Sequence, residues 1–377
     1  MGLNICFKKC RLLLKFATAC VLMTVLVALC RREYAVRVDK QLSPLPKLFK
    51  DCRRRDNAEE RNKPPIPDNP QDSPVCRPAN IPNKFLIEEE DFCQRGQPLQ
   101  VVSFVHSSIS RVQKRMETRK TWANASAYGL GIHNGVVFMV GRAKNPHEEM
   151  IVQNESLLYH DIVQGDYGDH YQLLSYKALA AMNWITRHCS HVPWTLHADD
   201  DLIIDSFLLQ EFIQTLNSES KKQIICRRMV GRVLRKGKWK VTREEYSAKM
   251  YPKYCQGTMW LLATEQLPKL LEASKEVSYL WVDDAFITGL LVQKAHIGLK
   301  DIGSKFTRIF KRSDIGKKIA WWHLPKVNST AIWRQIVHYH KQRYKPNPSQ
   351  PSLTQPKPTQ LNPTQPNQLQ FTQPNLI

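Results

Sequence analysis

The sequence predicts an α/β domain whose sheet is covered by helices on both faces. Two short, β-branched apolar runs, residues 100–106 (QVVSFVH) and 135–141 (GVVFMVG), are bounded by turn or polar residues and read as buried strands. Residues 110–123 (SRVQKRMETRKTWA) form a polar, helical connection between them. Residues 171–189 consist of good helix formers, with Leu173, Leu174, Ala178, Ala181, Met182 and Ile185 on one apolar face. Residues 192–198 (VPWTLHA) then read as a strand that runs straight into Asp199, Asp200 and Asp201. This strand–helix–strand order argues for helices on both faces of the sheet. Ligands of such sheets bind at the carboxyl ends of strands, and the triple Asp stands at one.

The remaining segments frame that domain. The chain has 377 residues, 42% of them apolar and 24% charged, enough for one large core with extensions and too apolar for wholesale disorder. After a cytosolic tail at 1–11, residues 12–30 are nineteen residues carrying one charge, Lys15, long enough to span a bilayer of ~30 Å. Leu29-Cys30-Arg31-Arg32 suits signal cleavage poorly, so the segment reads as a transmembrane signal anchor. Lys8, Lys9, Arg11 and Lys15 before it favour the N-terminus inside, which makes a single-pass type II protein. Residues 31–98 read as a Pro-rich lumenal stem, disordered in part. Residues 99–345 are the catalytic-size domain. Residues 346–377, with 8 Pro and 7 Gln, form a disordered tail. On the lumenal side the sequons at Asn124, Asn154 and Asn328 become glycosylation candidates. Six cysteines outside the span, Cys52, Cys76, Cys93, Cys189, Cys226 and Cys255, suit an oxidising compartment but allow 15 pairings.

Net charge is +21, which taken whole suggests nucleic acid. Its distribution argues otherwise. Residues 221–249 carry 11 basic and 2 acidic side chains and residues 299–345 carry 12 and 2, whereas 99–220 carry 9 and 13. The basic blocks therefore flank an acidic centre, and the anchor and sequons keep them away from cytosol and nucleus. Two of these blocks follow the acidic sites in the chain and could gather an anionic donor or an acidic glycan acceptor, or form a solvated face.

Three adjacent carboxylates repel one another and need solvent, Arg or Lys partners, or a divalent cation. In an extended backbone Asp199 and Asp201 would point the same way and could hold a hard cation open to phosphate oxygens. A second acidic site, Asp283 and Asp284, lies between Trp281-Val282 and Ala285-Phe286-Ile287. Desolvation there would raise a carboxylate into the range of a general base, although capping of the following helix explains the same residues. Between the two sites, residues 250–260 (MYPKYCQGTMW) gather aromatics around Pro252 and Gly257, as a sugar platform or as core.

In this order the motifs resemble the β-1,3-galactosyltransferase family, glycosyltransferase family 31. Arg115, Arg119 and Trp122 match its R-x-x-x-R-x-T-W, and Phe138 and Gly141 match its F-x-x-G strand. Glu155, Tyr159, Asp161, Ile162, Asp166, Asp169, Tyr171 and Lys177 follow its next stretch. Asp199–Asp201 falls on its D-x-D, Tyr251 to Gly257 on Y-P-x-Y-x-x-G, and Asp283-Asp284 on E-D-V-x-x-G with Asp for Glu and Ala285 for Val. His323 resembles a late metal-site His, and residues 226–243 fall where the family has an excursion between the metal strand and the acceptor region.

The resemblance implies a GT-A-type nucleotide-sugar transferase domain with a Rossmann-like mixed sheet, in a Golgi membrane protein with a lumenal catalytic domain. It implies inverting transfer of a hexose, galactose first, from a UDP-sugar to a glycan on protein or lipid in β-1,3 linkage. Asp284 would be the catalytic base. Asp199, Asp201 and His323 would hold Mn²⁺ or another divalent cation. Arg115, Arg119 and Asp200 would meet the donor, unless the two arginines are a solvated helix face. Tyr251, Tyr254, Gly257, Trp281 and Asp283 would form the acceptor platform. The alternatives are an N-acetylglucosaminyl- or N-acetylgalactosaminyltransferase of the same family, and an inert membrane-anchored lectin or assembly partner.

Overall fold

A computed structural model describes residues 79–128, 133–322 and 328–344. The anchor at 12–30, most of the stem, His323 and the tail lie outside the described residues. Among the described residues no helix is long and apolar enough to cross a membrane.

Among the described residues, eight strands form the main sheet: β1 (Phe85–Ile87), β2 (Val101–His106), β3 (Asn134–Arg142), β4 (Ile162–Gly168), β5 (Trp194–Asp199), β7 (Gln223–Met229), β8 (Tyr254–Ala263) and β9 (Gly298–Asp301). Their order is β1-β4-β3-β2-β5-β8-β7-β9, with β4, β3, β2 and β5 mutually parallel and β8 antiparallel to both β5 and β7. A small sheet of β10 (Phe306–Thr307), β11 (Ala320–Trp322) and β6 (Leu202–Ile204) lies beside it. The helices are α1 (Val112–Arg119), α2 (Pro146–Tyr159), α3 (Leu174–His188), α4 (Ser206–Gln214), α5 (Leu267–Ser274), α6 (residues 283–294) and α7 (Ser329–Arg343).

Period-two alternation divides the buried strand residues between two cores. Val102 and Phe104 pack into the core that holds α3, α5 and α6, while Val101 and Val105 pack into the core that holds α4 and α7. Local chemistry sets the helix starts. Asn145 caps α2 by accepting from the Glu148 N–H at 2.9 Å, with Pro146 pre-set at the first helical position. Asp205 caps α4 through the Leu208 N–H and binds His340 of α7 at 2.9 Å, a fully buried link between the two helices. The middle of α6, Phe286–Leu291, is π-helical, a form often found at functional sites.

The folded unit begins earlier than residue 99. Ala79 is buried, β1 pairs antiparallel with β4, and Cys93 is bonded to Cys189. The stem's last twenty residues thus belong to the domain, because the Pro-rich composition conceals a short edge strand and a covalent tie. Helix α3 also departs from expectation. It is buried nearly all round, with Ser175, Tyr176 and Lys177 covered as well as the apolar stripe.

Candidate active site

The chain runs from β2 outward through β3 and β4, then returns to place β5 on the other side of β2. That reversal opens a crevice at the carboxyl ends of β2 and β5. The register sets His106, the last residue of β2, opposite Asp199, the last residue of β5. Because β8 runs antiparallel to β5, its first residues, Tyr254 to Gly257, come to the same edge. The start of α6 brings Asp283 and Asp284. The result is a cleft of about 860 Å³, within the usual range for ligand sites, lined by Asp199, Asp200, Asp201, Tyr251, Tyr254, Gly257, Trp281, Asp283 and Asp284. Nine residues assigned from three distant motifs thus meet in one place.

Asp284 is held closely. Its Oδ1 accepts from the Ala285 N–H at 2.8 Å, and its backbone carbonyl accepts from the Thr288 hydroxyl at 2.5 Å. That hydroxyl in turn accepts from the Cys255 N–H at 2.8 Å, so α6 and β8 are tied at a residue of the Cys226–Cys255 disulfide. A Cβ at Gly257 would lie 3.2 Å from the Asp284 Cβ, so any larger residue would press on the carboxylate. Burial pushes the Asp284 carboxyl up, to about 6, with the Ala285 and Gly257 backbone pulling the other way. Burial, then the Asp284 charge, pushes Asp283 up as well.

Asp199 is raised well above the usual carboxylate range, first by burial and then by Asp201, Asp283, Asp200 and Asp284. Its closest basic group is His197, whose Nε2 is 3.9 Å away. Burial drives that imidazole down to about 4, so it brings no charge at neutral pH. A divalent cation would relieve the repulsion, and the donor set fits one. Asp199 and Asp201 offer oxygens at the cleft. His106, His197 and Asp199 have ligand-type atoms within 4.8 Å of one another, and both ring nitrogens of His106 are buried without a hydrogen bond among the described residues, Nδ1 lying 3.9 Å from Asp283.

Two expectations need correction. The backbone turns at Asp200 and Asp201, so alternation of an extended strand does not apply, and Asp201 is exposed. Asp200 instead points inward, where its carboxylate accepts from the Ser107 hydroxyl at 2.9 Å and from Arg111 Nε at 2.8 Å. It is occupied by the protein, and Arg111, which lines the cleft, stands where donor contact was expected of Asp200.

Arg115 and Arg119 are neither donor ligands at the cleft nor a solvated face. Arg115 is fully buried, pairs with Glu155 at 2.6 Å, and donates to Ser107 Oγ and to the Ser108 and Ile109 carbonyls. Arg119 pairs with Glu155 and Asp161 at 2.7 Å each and lies over the Tyr159 and Phe138 rings. Burial would raise Glu155, but the two arginines outweigh it and hold it low. Lys177 completes the support, binding Asp169 at 2.7 Å and the Ser107 carbonyl, while Asp169 accepts from the Ile109 N–H at 2.9 Å. Together these residues brace the loop 107–111 that forms one wall of the cleft.

The platform is also divided differently. Tyr251 and Trp281 are buried at the cleft, whereas Tyr171 and Trp239 are each 48% exposed there. Residues 230–249 thus contribute directly to the site. His106, His197, Arg111 and Trp239 were missed by sequence reasoning. The two histidines had a signal in their place at or beside the end of an apolar strand, and Arg111 and Trp239 had none.

Asn124, Asn154 and Asn328 are exposed, with Asn154 on α2 and Asn328 capping α7. Among the described residues two disulfides form, Cys93–Cys189 and Cys226–Cys255.

Comparison with known proteins bears on the same residues. β-1,3-Galactosyltransferase 2 of Homo sapiens is 26% identical over 220 residues, covering 57% of this chain and 51% of the relative. β-1,3-Galactosyltransferase 1 of Mus musculus is 25% identical over 225 residues, covering 59% and 68%. The chain spans about half the length of the first of these relatives. Among solved structures, the galactosyltransferase LgtC, in complex with donor and acceptor sugar analogs, is 8% identical, covering 63% of this chain and 95% of that one with a TM-score of 0.34, a likeness too loose to carry weight. The galactosyltransferase family model matches residues 113–302, half of the chain, from the bracing arginines through Asp199–Asp201 to Asp283–Asp284. The chain belongs to the galactosyltransferase family.

Proposed function

We propose that this chain is an inverting, metal-dependent hexosyltransferase of GT-A type, transferring galactose from UDP-galactose to a glycan on protein or lipid in β-1,3 linkage. The observation that carries the reading is a fixed carboxylate, Asp284, in the same cleft as the uncompensated pair Asp199 and Asp201. Family membership supports the donor class, and the two disulfides support a lumenal domain in an oxidising compartment such as the Golgi.

Asp284 accepts the proton of the acceptor hydroxyl. The acceptor oxygen bonds to the anomeric carbon from the face opposite the leaving group. The bond from that carbon to the β-phosphate oxygen breaks, and its electron pair leaves with UDP. One base and a stabilised leaving group suffice, with no protein nucleophile. Asp199 and Asp201 would hold a divalent cation, Mn²⁺ in this reading, which would supply positive charge beside a diphosphate leaving group. His323, outside the described residues, is the third ligand proposed. Arg111, which pairs with Asp200 and lines the cleft, is the cation this reading offers to donor phosphate, and the Arg115–Glu155–Arg119 network keeps its loop in place.

The test is transfer by the purified protein across a panel of UDP-sugars with and without Mn²⁺. Cation-dependent transfer of galactose with a β-1,3 product supports the reading. Transfer of N-acetylglucosamine or N-acetylgalactosamine alone would replace the donor, and absence of all transfer and of UDP-sugar hydrolysis would contradict it.

A further inference from the structure

The cleft is lined by charges of both signs. Asp199, Asp201, Asp283 and Asp284 line it, and Arg232 and Lys238 reach the same lining from residues 230–249. Both cations are exposed, and neither has a carboxylate partner among the described residues. Their segment is ordered by its own bonds. Arg235 donates to the carbonyls of Val241, Thr242 and Ala248 at 2.9, 2.6 and 2.7 Å, and Val233 and Val241 are buried beneath it. The unpaired charges are therefore held in position before any ligand arrives.

Beside them stands an aromatic pair that folding alone does not explain. Trp239 and Tyr171 are each about half exposed, and the indole N–H donates to the Tyr171 hydroxyl at 3.0 Å. Lys238 Nζ lies 4.4 Å from the Tyr171 ring centroid. Ordered, exposed aromatic faces in a polar cleft suit the C–H faces of a pyranose ring, because the ring's negative face attracts them.

Position brings this group beside the base, with Tyr171 within reach of the charges of Asp283, Asp199 and Asp284. A Cβ at Gly231 would lie 2.7 Å from the Tyr254 hydroxyl, so Arg232 springs from the wall built by β8. Tyr254 feels the charge of Asp284, the base that the acceptor hydroxyl must reach. A further cation at the cleft, Arg111, comes from the loop after β2.

We propose that Arg232, Lys238 and the Trp239–Tyr171 pair form an acceptor subsite for an anionic sugar residue, one bearing a carboxylate or a sulfate. The ring lies on the aromatic pair and the anion meets the two cations. This rests on the glycosyl-transfer reading above and names the acceptor class for it.

The test uses the full chain in detergent with three matched disaccharides: an uncharged one, its uronic-acid-terminated counterpart and its sulfated counterpart. Binding is read by saturation-transfer NMR without turnover, and transfer is read as kcat/KM. Wild type should favour at least one charged disaccharide over the neutral one by roughly tenfold, the worth of one or two charge-assisted hydrogen bonds. The preferred arm tells carboxylate from sulfate. Arg232→Ala with Lys238→Ala should remove most of that ratio, Arg232→Lys with Lys238→Arg should restore it, and Trp239→Ala should weaken charged and neutral saccharides alike. Lys311→Ala with Arg312→Ala, outside the cleft, should leave the ratio alone. Equal use of charged and neutral disaccharides overturns the proposal, as does a loss of UDP-donor affinity with an unchanged ratio. Charge-selective binding without any transfer would leave the subsite standing and sink the transfer reading instead.

Discussion

Two clusters of ionisable residues sit on either side of the loop 107–111, and they are built on opposite terms. Behind the loop, Arg115 and Arg119 meet Glu155 and Asp161 in a closed network in which both positive and both negative charges are matched. In front of it, Asp199, Asp201, Asp283 and Asp284 face the cleft together, and the bases beside Asp199 among the described residues are His106 and His197, both held neutral chiefly by burial. The closed network has no capacity left for a ligand, so its role is to hold the wall. The open cluster carries a standing electrostatic penalty that a cation and a substrate proton can relieve. Residue types alone do not separate the two; the partners do.

Breaking each cluster should therefore give different losses. The largest is expected in front. Asp284→Asn removes the base and should lower transfer by roughly 10²–10⁴-fold while the fold persists, measured as kcat beside UDP affinity and thermal melting. Behind the loop the loss should be of stability. Arg115→Ala leaves Glu155 short of a partner in the interior and should cost about 3–5 kcal/mol, read by urea denaturation. Retained stability with lost donor affinity would instead return Arg115 to the donor site.

A pH profile sharpens the same contrast. Asp284 must be ionised to accept a proton, and its carboxyl is raised to about 6, chiefly by burial. The acid limb of kcat/KM should accordingly fall as pH drops through about 6, well above an ordinary carboxylate near ~4. A limb near 4 would remove the desolvated base.

The smallest effect concerns the cost of the open cluster. Asp199 binds its proton more tightly folded than unfolded, so it favours the folded state at acid pH and that contribution is lost as pH rises through the raised value. Asp199→Asn should then melt higher than wild type at neutral pH without metal, with the gap closing toward pH 4. Added Mn²⁺ should raise the melting temperature of wild type and not that of the variant. Equal melting at all pH values would mean the cluster carries no penalty.

Much of the sheet was legible because buried parallel strands announce themselves as short β-branched runs. Residues 100–106, 135–141 and 192–198 became β2, β3 and β5 within a residue or two at each end. The acidic motifs were legible for a related reason, since charges beside apolar runs mark strand ends and helix starts. Arg115 and Arg119 were misread because their string is polar throughout, and what buries them lies 36 to 42 residues away. Local pattern cannot report such a partner. The same holds for the disulfides, which join Cys93 to Cys189 at a helix end 96 residues away and Cys226 to Cys255 across neighbouring strands, and for Trp239, which meets Tyr171 across 68 residues. The start of the domain was hidden by composition, because Pro-rich sequence leads up to the three residues of β1 and an acidic run follows them.

Asp284 and the acidic cluster around it are proposed as the reaction centre. The most direct measurement is transfer from UDP-galactose by wild type and Asp284→Asn, with and without Mn²⁺, alongside UDP binding by both. The account predicts Mn²⁺-dependent transfer by wild type alone, with UDP bound comparably by the two. Undiminished transfer by Asp284→Asn would contradict it.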